Sequence, residues 1–252
     1  MPSAELTTAL RAAEAAAEVI RSLYQRNLAV STKADKSPVT EADVRAEEVI
    51  REILSGAFPD YGFFGEETGT HQMQAASIWL VDPIDGTKSF VRECPFFSTQ
   101  IALMREGQMV LGVSSAPAYG ELLWAERGAG AFHAGRPLRV SEVDSLERAI
   151  LSSGNLKSLA SGSQWQAYGG LVAQVDRIRG YGDFLHYHLL AQGALDLVIE
   201  SDVNILDIAA LSVIIEEAGG RFTDLTGQPI SLDTRSVLAS NGLLHAQVLS
   251  RL

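Results

Sequence analysis

The sequence predicts an α+β N-terminal half with a largely antiparallel sheet, followed by an α/β C-terminal half. Three observations carry this expectation. Apolar residues first recur at helical spacing over two long stretches. Short β-rich runs separated by tight turns come next, the pattern of hairpin-connected strands. From about Leu146 strands and helices alternate, as they do in α/β layers. The rhythm changes near residues 140–146, which predicts two units, 1–143 and 144–252. At 252 residues the chain is long enough to bury a sizeable core, and 46% apolar and 20% charged residues describe an ordinary globular protein.

The elements follow in order. Leu6, Leu10, Ala13, Ala17, Ile20 and Leu23 share one face of a first helix running to about Arg26. Residues 31–38 are polar, with Lys33 and Lys36, and read as an exposed loop. Thr40, with Asp43 three residues on, caps a second helix through Val44, Val49, Ile50 and Ile53 to Gly56. Residues 62–65 form a short strand that ends in Glu66 and Glu67. The apolar run Trp79, Leu80, Val81 reads as a buried strand ending in Asp82. A proline-led turn then brings Asp85 round, followed by Gly86 and Thr87. Strands are predicted over 98–105, 109–116 and 121–125, and residues 128–137 are glycine-rich and turn-like. In the second half, strands over 149–153, 177–181 and 195–200 alternate with helices near 164–174, 184–192 and 207–218.

Composition excludes several classes of partner. The net charge is −11 and Lys and Arg are not clustered, which argues against nucleic acid or an anionic membrane. The single cysteine, Cys94, excludes an internal disulfide, fits a reducing compartment and reads as a buried or neutral residue. The Ala-rich N-terminal stretch is interrupted by Arg11, Glu14, Glu18 and Arg21, so it reads as a helix and not a signal peptide. No run approaches transmembrane length. A soluble, cytoplasmic protein is the expectation.

The chemistry concentrates on Asp82 to Thr87. Two carboxylates three residues apart across a tight turn converge on one point, and hard cations such as Mg²⁺ take oxygen ligands of this kind. The Gly86 and Thr87 amides face an anion where a helix starts behind them. Three further acids stand at element ends: Asp43 in a first helical turn, Glu66 after a strand and Asp207 opening a helix. Taken singly, Asp43 and Asp207 are helix caps contributing about 0.5–2 kcal/mol each, and Glu66 is a solvated loop acid. His186 and His188, two apart on a helix, face different directions and make a poor metal pair. His71, His133 and His245 fall in turns or near the C-terminus. Surface or supporting roles are expected for all five histidines.

Residues 79–90, WLVDPIDGTKSF, resemble the first motif of the inositol-monophosphatase-like, lithium-sensitive, Mg²⁺-dependent phosphatases. Phe64 to Thr68 resembles that family's G-E-E segment, and Thr40 to Asp43 its T-x-A-D segment. Leu206 to Ala210 with Glu217 to Gly220 resembles the second motif, with Leu206 in place of the usual Trp. The order matches from Ser37 to about Asn241. The aromatic is expected to pack in the site wall, so Leu206 bears on substrate shape.

The resemblance implies a layered αβαβα fold, two to three Mg²⁺ per site and attack by a metal-activated water, with no covalent intermediate. Glu66, Asp82 and the Ile84 carbonyl would hold one Mg²⁺, and Asp82, Asp85 and Asp207 a second. Thr87 and Asp43 would orient the water and take its proton, and the Gly86 and Thr87 amides would hold the phosphate. It implies a small phosphorylated metabolite as partner and a homodimer. Lys88 and Ser89, with the segment Arg179, Gly180, Tyr181, Gly182 and Asp183, resemble the histidinol-phosphate phosphatase branch. Histidinol phosphate carries an ammonium and an imidazole, for which Asp183 and Glu200 are the candidate partners. Inositol-1-phosphate is the alternative substrate and 3′-phosphoadenosine-5′-phosphate the third. A relative that binds a phosphorylated ligand without hydrolysing it is the non-enzymatic alternative.

Overall fold

A computed structural model describes residues 2–26, 30–32 and 38–252. Lys33 and Lys36, with most of the predicted loop, lie outside the described residues. The flanks of that loop are strands: β1 (Val30–Thr32) pairs antiparallel with β2 (Pro38–Thr40). Before them, α1 (Ala4–Leu23) is capped by the Ser3 hydroxyl, which accepts from the Leu6 amide. After them, α2 (Glu41–Ala57) opens on a complete capping box between Thr40 and Asp43. The buried face of α2 carries Ala42, Ala46, Ile50 and Leu54, while Val44 is exposed.

An eight-stranded sheet occupies the first half. Its strands are β3 (Gly62–Gly65), β4 (Gly69–His71), β5 (Ser77–Asp85), β6 (Ser98–Arg105), β7 (Gln108–Ala116), β8 (Glu121–Glu126), β9 (Gly130–His133) and β10 (Arg136–Pro137). The spatial order is β10-β9-β8-β7-β6-β5-β3-β4, antiparallel except where β3 meets β5. The predicted glycine-rich turn at 128–137 is thus a hairpin, because Gly130 and Gly135 adopt positive φ around two short strands. A short helix, α3 (Thr87–Val91), follows β5 directly.

The second half builds a five-stranded mixed sheet. β11 (Ile150–Ser152) leads through α4 (Lys157–Ser161) and α5 (Trp165–Val172) to β12 (Arg177–Arg179), and α6 (Asp183–Ala191) leads to β13 (Leu197–Ser201). Then come α7 (Ile205–Glu217), β14 (Arg221–Thr223), β15 (Ser236–Ser240) and α8 (His245–Leu249). The order is β12-β11-β13-β15-β14, with β11 parallel to both neighbours and β15 antiparallel to both of its own. Sequence reading assigned neither β14 nor β15, since each is short and lacks a flanking periodic pattern.

The layers are α1 and α2, the large sheet, α6 and α7, the small sheet, then α4, α5 and α8. The central helices close the structure: one continuous core joins Leu80, Ala102 and Leu123 of the large sheet, Ala209, Leu211 and Ile214 of α7, and Val198, Val237 and Ala239 of the small sheet. α7 is apolar almost all round because it is covered on both sides. Gly112 on β7 allows this approach, since a Cβ there would collide with the Ala210 carbonyl oxygen. No helix among the described residues is long and apolar enough to cross a membrane.

Candidate metal and phosphate site

The site forms where β5 ends. The strand does not stop at Asp82, as the sequence suggests, but continues through Pro83 and Ile84 to Asp85 with a bulge. Asp82 pairs with Gln100 and Asp85 with Ser98, so three steps along β5 oppose two along β6. In a regular strand, residues three apart point to opposite faces. The extra residue brings both carboxylates to one side. Both are buried, at 2% and 8% exposure. The Asp82 carboxylate also accepts the Ile84 amide at 2.9 Å, which fixes the bulge.

Asp207 arrives from the other half, in the first turn of α7. One of its oxygens closes a capping box by accepting the Asn204 amide at 2.8 Å. Asp82, Asp85 and Asp207 each offer an oxygen within 4.8 Å of the other two. Glu66 stands just past β3, its amide donating to the Val81 carbonyl beside Asp82. Sequence reading missed the residue that fixes this segment. Glu47, fully buried on α2, accepts the Glu67 amide at 2.8 Å and the Thr68 amide at 2.6 Å. Its signal is a carboxylate four residues after Asp43, on the apolar face of a helix.

The electrostatics follow from this crowding. Burial pushes Asp82 well above the usual carboxylate range, and the charges of Glu66, Asp85 and Asp207 push it further. Burial likewise raises Asp85, with Asp183, Asp207 and Glu200 adding to it. Asp207 is pushed up to about 7, first by burial and against the help of the Asn204 amide, with Glu66, Glu200 and Asp183 as further causes. Four converging carboxylates that repel one another make a donor set suited to a hard divalent cation, which would neutralise them.

Asp43 is both cap and site residue. One of its oxygens accepts the Thr40 amide at 2.8 Å and hydroxyl at 2.6 Å, while the other accepts from the Thr87 hydroxyl at 3.0 Å. That hydroxyl also lies 3.0 Å from the Ile84 carbonyl oxygen. Gly86 begins α3 with φ +89°, and a Cβ there would meet the Phe96 carbonyl oxygen at 2.5 Å. Glycine alone makes this corner without strain.

A cleft of about 440 Å³ opens over these groups, lined by Glu66, Asp82, Ile84, Asp85, Gly86, Thr87, Lys88, Asn155, Asp183 and Asp207. Asp43 sits behind Thr87, outside the lining. A larger cleft of about 710 Å³ lies between α1 and β7 to β9, and no cluster of potential metal ligands falls there among the described residues.

Asp183 opens α6 without making a capping hydrogen bond, and burial raises its carboxyl, with Glu200 adding to it. Glu200 differs from expectation. It is 3% exposed and faces an adjoining small cavity, where it accepts from the Asn155 amide at 3.0 Å and the Tyr187 hydroxyl at 2.9 Å, with His186 at 3.1 Å. Burial alone would raise it, but His186 and these donors hold it below the ordinary carboxylate value. His186, His188 and His245 are fully buried and hydrogen-bonded, not surface groups. Leu206 does not line the cleft; it is 2% exposed in the central core, because the second residue of α7 turns inward. Cys94 is a half-buried free thiol.

Comparison with known proteins shows the family. The histidinol-phosphatase of Mycobacterium tuberculosis is 42% identical over 98% of this chain and 97% of its own length. The inositol-1-monophosphatase of Caulobacter vibrioides is 37% identical over 89% of this chain and 91% of its own. Among solved structures, the extragenic suppressor protein suhB of Bartonella henselae superposes with a TM-score of 0.91 at 33% identity, covering 99% of this chain and 98% of that one. The model of the inositol monophosphatase family matches residues 2–252. On that match and these identities, the chain belongs to the inositol monophosphatase family.

Proposed function

We propose that this protein is a Mg²⁺-dependent phosphoric monoester hydrolase that converts L-histidinol phosphate to L-histidinol and phosphate. The observation that carries the chemistry is the convergence of Asp82, Asp85 and Asp207 beside Thr87. Glu66, Asp82, the Ile84 carbonyl, Asp85 and Asp207 would hold two to three Mg²⁺. Bound there, Mg²⁺ supplies charge neutralisation for the phosphoryl group and acidifies water. The likeness to relatives named histidinol-phosphatase supports the substrate. We further propose a cytoplasmic homodimer.

The chain's own groups divide the remaining work. The Gly86 and Thr87 amides hold phosphate oxygens at the cleft floor. Because two hydrogen bonds from Thr40 occupy one oxygen of Asp43, only the other is open to Thr87. Thr87 lines the cleft and Asp43 does not, so a water proton reaches Asp43 through the threonine hydroxyl: Thr87 accepts from water and donates to Asp43. Burial raises Asp43 above the usual carboxylate value, which suits it to receive a proton.

Asp183 pairs with the ammonium of the leaving alcohol, and Glu200 acts from behind it, an anion held in place by His186 and Tyr187. A charge-assisted hydrogen bond of this kind contributes about 1.5–3 kcal/mol. Asp183→Ala is therefore expected to raise KM for histidinol phosphate about tenfold and leave KM for a neutral sugar phosphate within about twofold. Equal effects on both substrates would remove the ammonium pairing.

Inositol-1-phosphate is the second reading, favoured by the likeness to relatives named inositol-1-monophosphatase. The deciding experiment compares kcat/KM for histidinol phosphate, inositol-1-phosphate and 3′-phosphoadenosine-5′-phosphate, with and without Mg²⁺. Histidinol phosphate is expected to lead by at least about tenfold, and release is expected to need Mg²⁺. A higher value for either competitor reassigns the substrate, and no release from any of them defeats the enzyme reading.

A further inference from the structure

We propose that His188 is a positioning residue for Asp85, acting through a buried relay of Ser114, Gln100 and Ser98. The proposal rests on Asp85 being a metal ligand, as above. The relay begins at Glu121 on β8, whose carboxylate lies 2.9 Å from His188 Nδ1. His188 Nε2 is 2.7 Å from Ser114 Oγ on β7. The Gln100 amide nitrogen on β6 reaches Ser114 Oγ at 3.0 Å and Ser98 Oγ at 2.7 Å. The Ser98 hydroxyl donates to Asp85 at 3.4 Å. Ser98, Gln100, Ser114 and His188 are each 0–1% exposed, so water does not compete within the chain.

The hydrogens of this network follow from the protonation of His188 and Glu121. Burial lowers His188 from its ordinary value, so the ring is neutral at pH 7 and carries a single N–H. Glu121, held low chiefly by its hydrogen bond from His188, remains an anion and takes that hydrogen at Nδ1. Nε2 is then an acceptor, and the Ser114 hydroxyl must donate to it. Ser114 has no second hydrogen, so towards Gln100 it accepts, and Gln100 must present its NH₂ group. The second hydrogen of that group goes to Ser98, whose own hydroxyl is thereby directed at Asp85. The relay diverges from the Gln100 amide and ends on a carboxylate at each side.

The Gln100 carbonyl oxygen makes the role of His188 explicit. It is buried and has no hydrogen-bond partner, an arrangement that costs stability. Rotating the amide by half a turn would let both serines donate to the oxygen, but it would carry the NH₂ group into the buried place the oxygen now occupies. That rotation would leave His188 Nε2 without a donor and turn the Ser98 hydroxyl away from Asp85. The acceptor nitrogen of His188 therefore favours the amide orientation that keeps Asp85 hydrogen-bonded and turned towards Asp82 and Asp207, and the burial of the NH₂ group in the other orientation acts in the same sense.

Calorimetric titration of the full-length protein with Mg²⁺ tests this without reference to turnover. His188→Phe removes the acceptor and is expected to weaken Mg²⁺ binding about tenfold. His188→Gln places an amide oxygen near the Nε2 position and is expected to restore affinity to within about twofold. Ser98→Ala is expected to match His188→Phe, and the double variant to be no weaker than Ser98→Ala alone, because both changes break one relay. Ser114→Ala breaks the same chain with a smaller change in volume, so it carries the test if His188→Phe fails to fold. Affinity unchanged in Ser98→Ala and Ser114→Ala, or losses that multiply in the double variant, would overturn the relay while leaving the metal site standing. A wild-type protein that does not bind Mg²⁺ would defeat both.

Discussion

Asp82→Asn is expected to lower phosphate release at least about a thousand-fold while leaving the fold intact. Asp82 is the carboxylate at the start of the bulge in β5, and the charges of Glu66, Asp85 and Asp207 all act on it. Asparagine has the same shape but brings a neutral oxygen, so a cation held there would lose an anionic ligand. A cation at a phosphoryl group is worth several kcal/mol of transition-state stabilisation, and about 4 kcal/mol corresponds to three decades of rate. The metal-free fold should not suffer, because Asp82 is repelled by its neighbours and its ionised form is the costly one. Circular dichroism and the thermal midpoint without Mg²⁺ are expected to equal or exceed wild type. Near wild-type turnover would exclude Asp82 from the site.

Without Mg²⁺, the protein is expected to be more stable at pH 5 than at pH 8, the reverse of the usual behaviour of paired carboxylates. The sign follows from proton counting. Asp82, Asp85 and Asp207 all have folded values above the unfolded value of about 3.9. Between that value and the folded ones the native state binds more protons, so stability falls as pH rises. The stabilisation is complete below about pH 4 and is lost for Asp207 as pH passes about 7. Asp82 and Asp85, also raised by burial, add to the loss. Mg²⁺ bound there would replace those protons, so its stabilising effect should grow with pH, and its apparent affinity should rise about tenfold per pH unit for each proton displaced. Thermal melts at pH 5 and pH 8, with and without Mg²⁺, measure this directly. Burial lowers His188 and His245, which act in the opposite sense between pH 5 and about 6.5, so the acids are isolated by Asp207→Asn. A change in its midpoint from pH 5 to pH 8 equal to that of wild type would mean that the acids are not crowded as described.

The acids of the site were legible because each stands where an element begins or ends. Asp43 and Asp207 are read as caps and are caps, yet the oxygens that capping leaves open are the ones that face Thr87 and the cluster. Less was legible where a polar side chain is buried. Glu47, His186 and His188 all lie on buried helix faces, where local pattern predicts apolar residues. Their partners come from 14 to 74 positions away, beyond the reach of periodicity or spacing. The bulge was read as a turn for a similar reason. Pro83 signals a break in local conformation, while pairing with Ser98 and Gln100 carries the strand past it.

By itself, the sequence determined the pairing of carboxylates in the Asp82–Thr87 segment, the order of its partner motifs and most of the succession of helices and strands. These depend on residue type, period and short-range spacing, all of which are local. Tertiary structure alone decided which face the two aspartates share, that Glu200 is held by His186 and Tyr187, and that Gln100 and His188 stand behind Asp85. Those outcomes depend on strand register and on how the central helices seat between two sheets, and both follow from long-range packing that no local window contains.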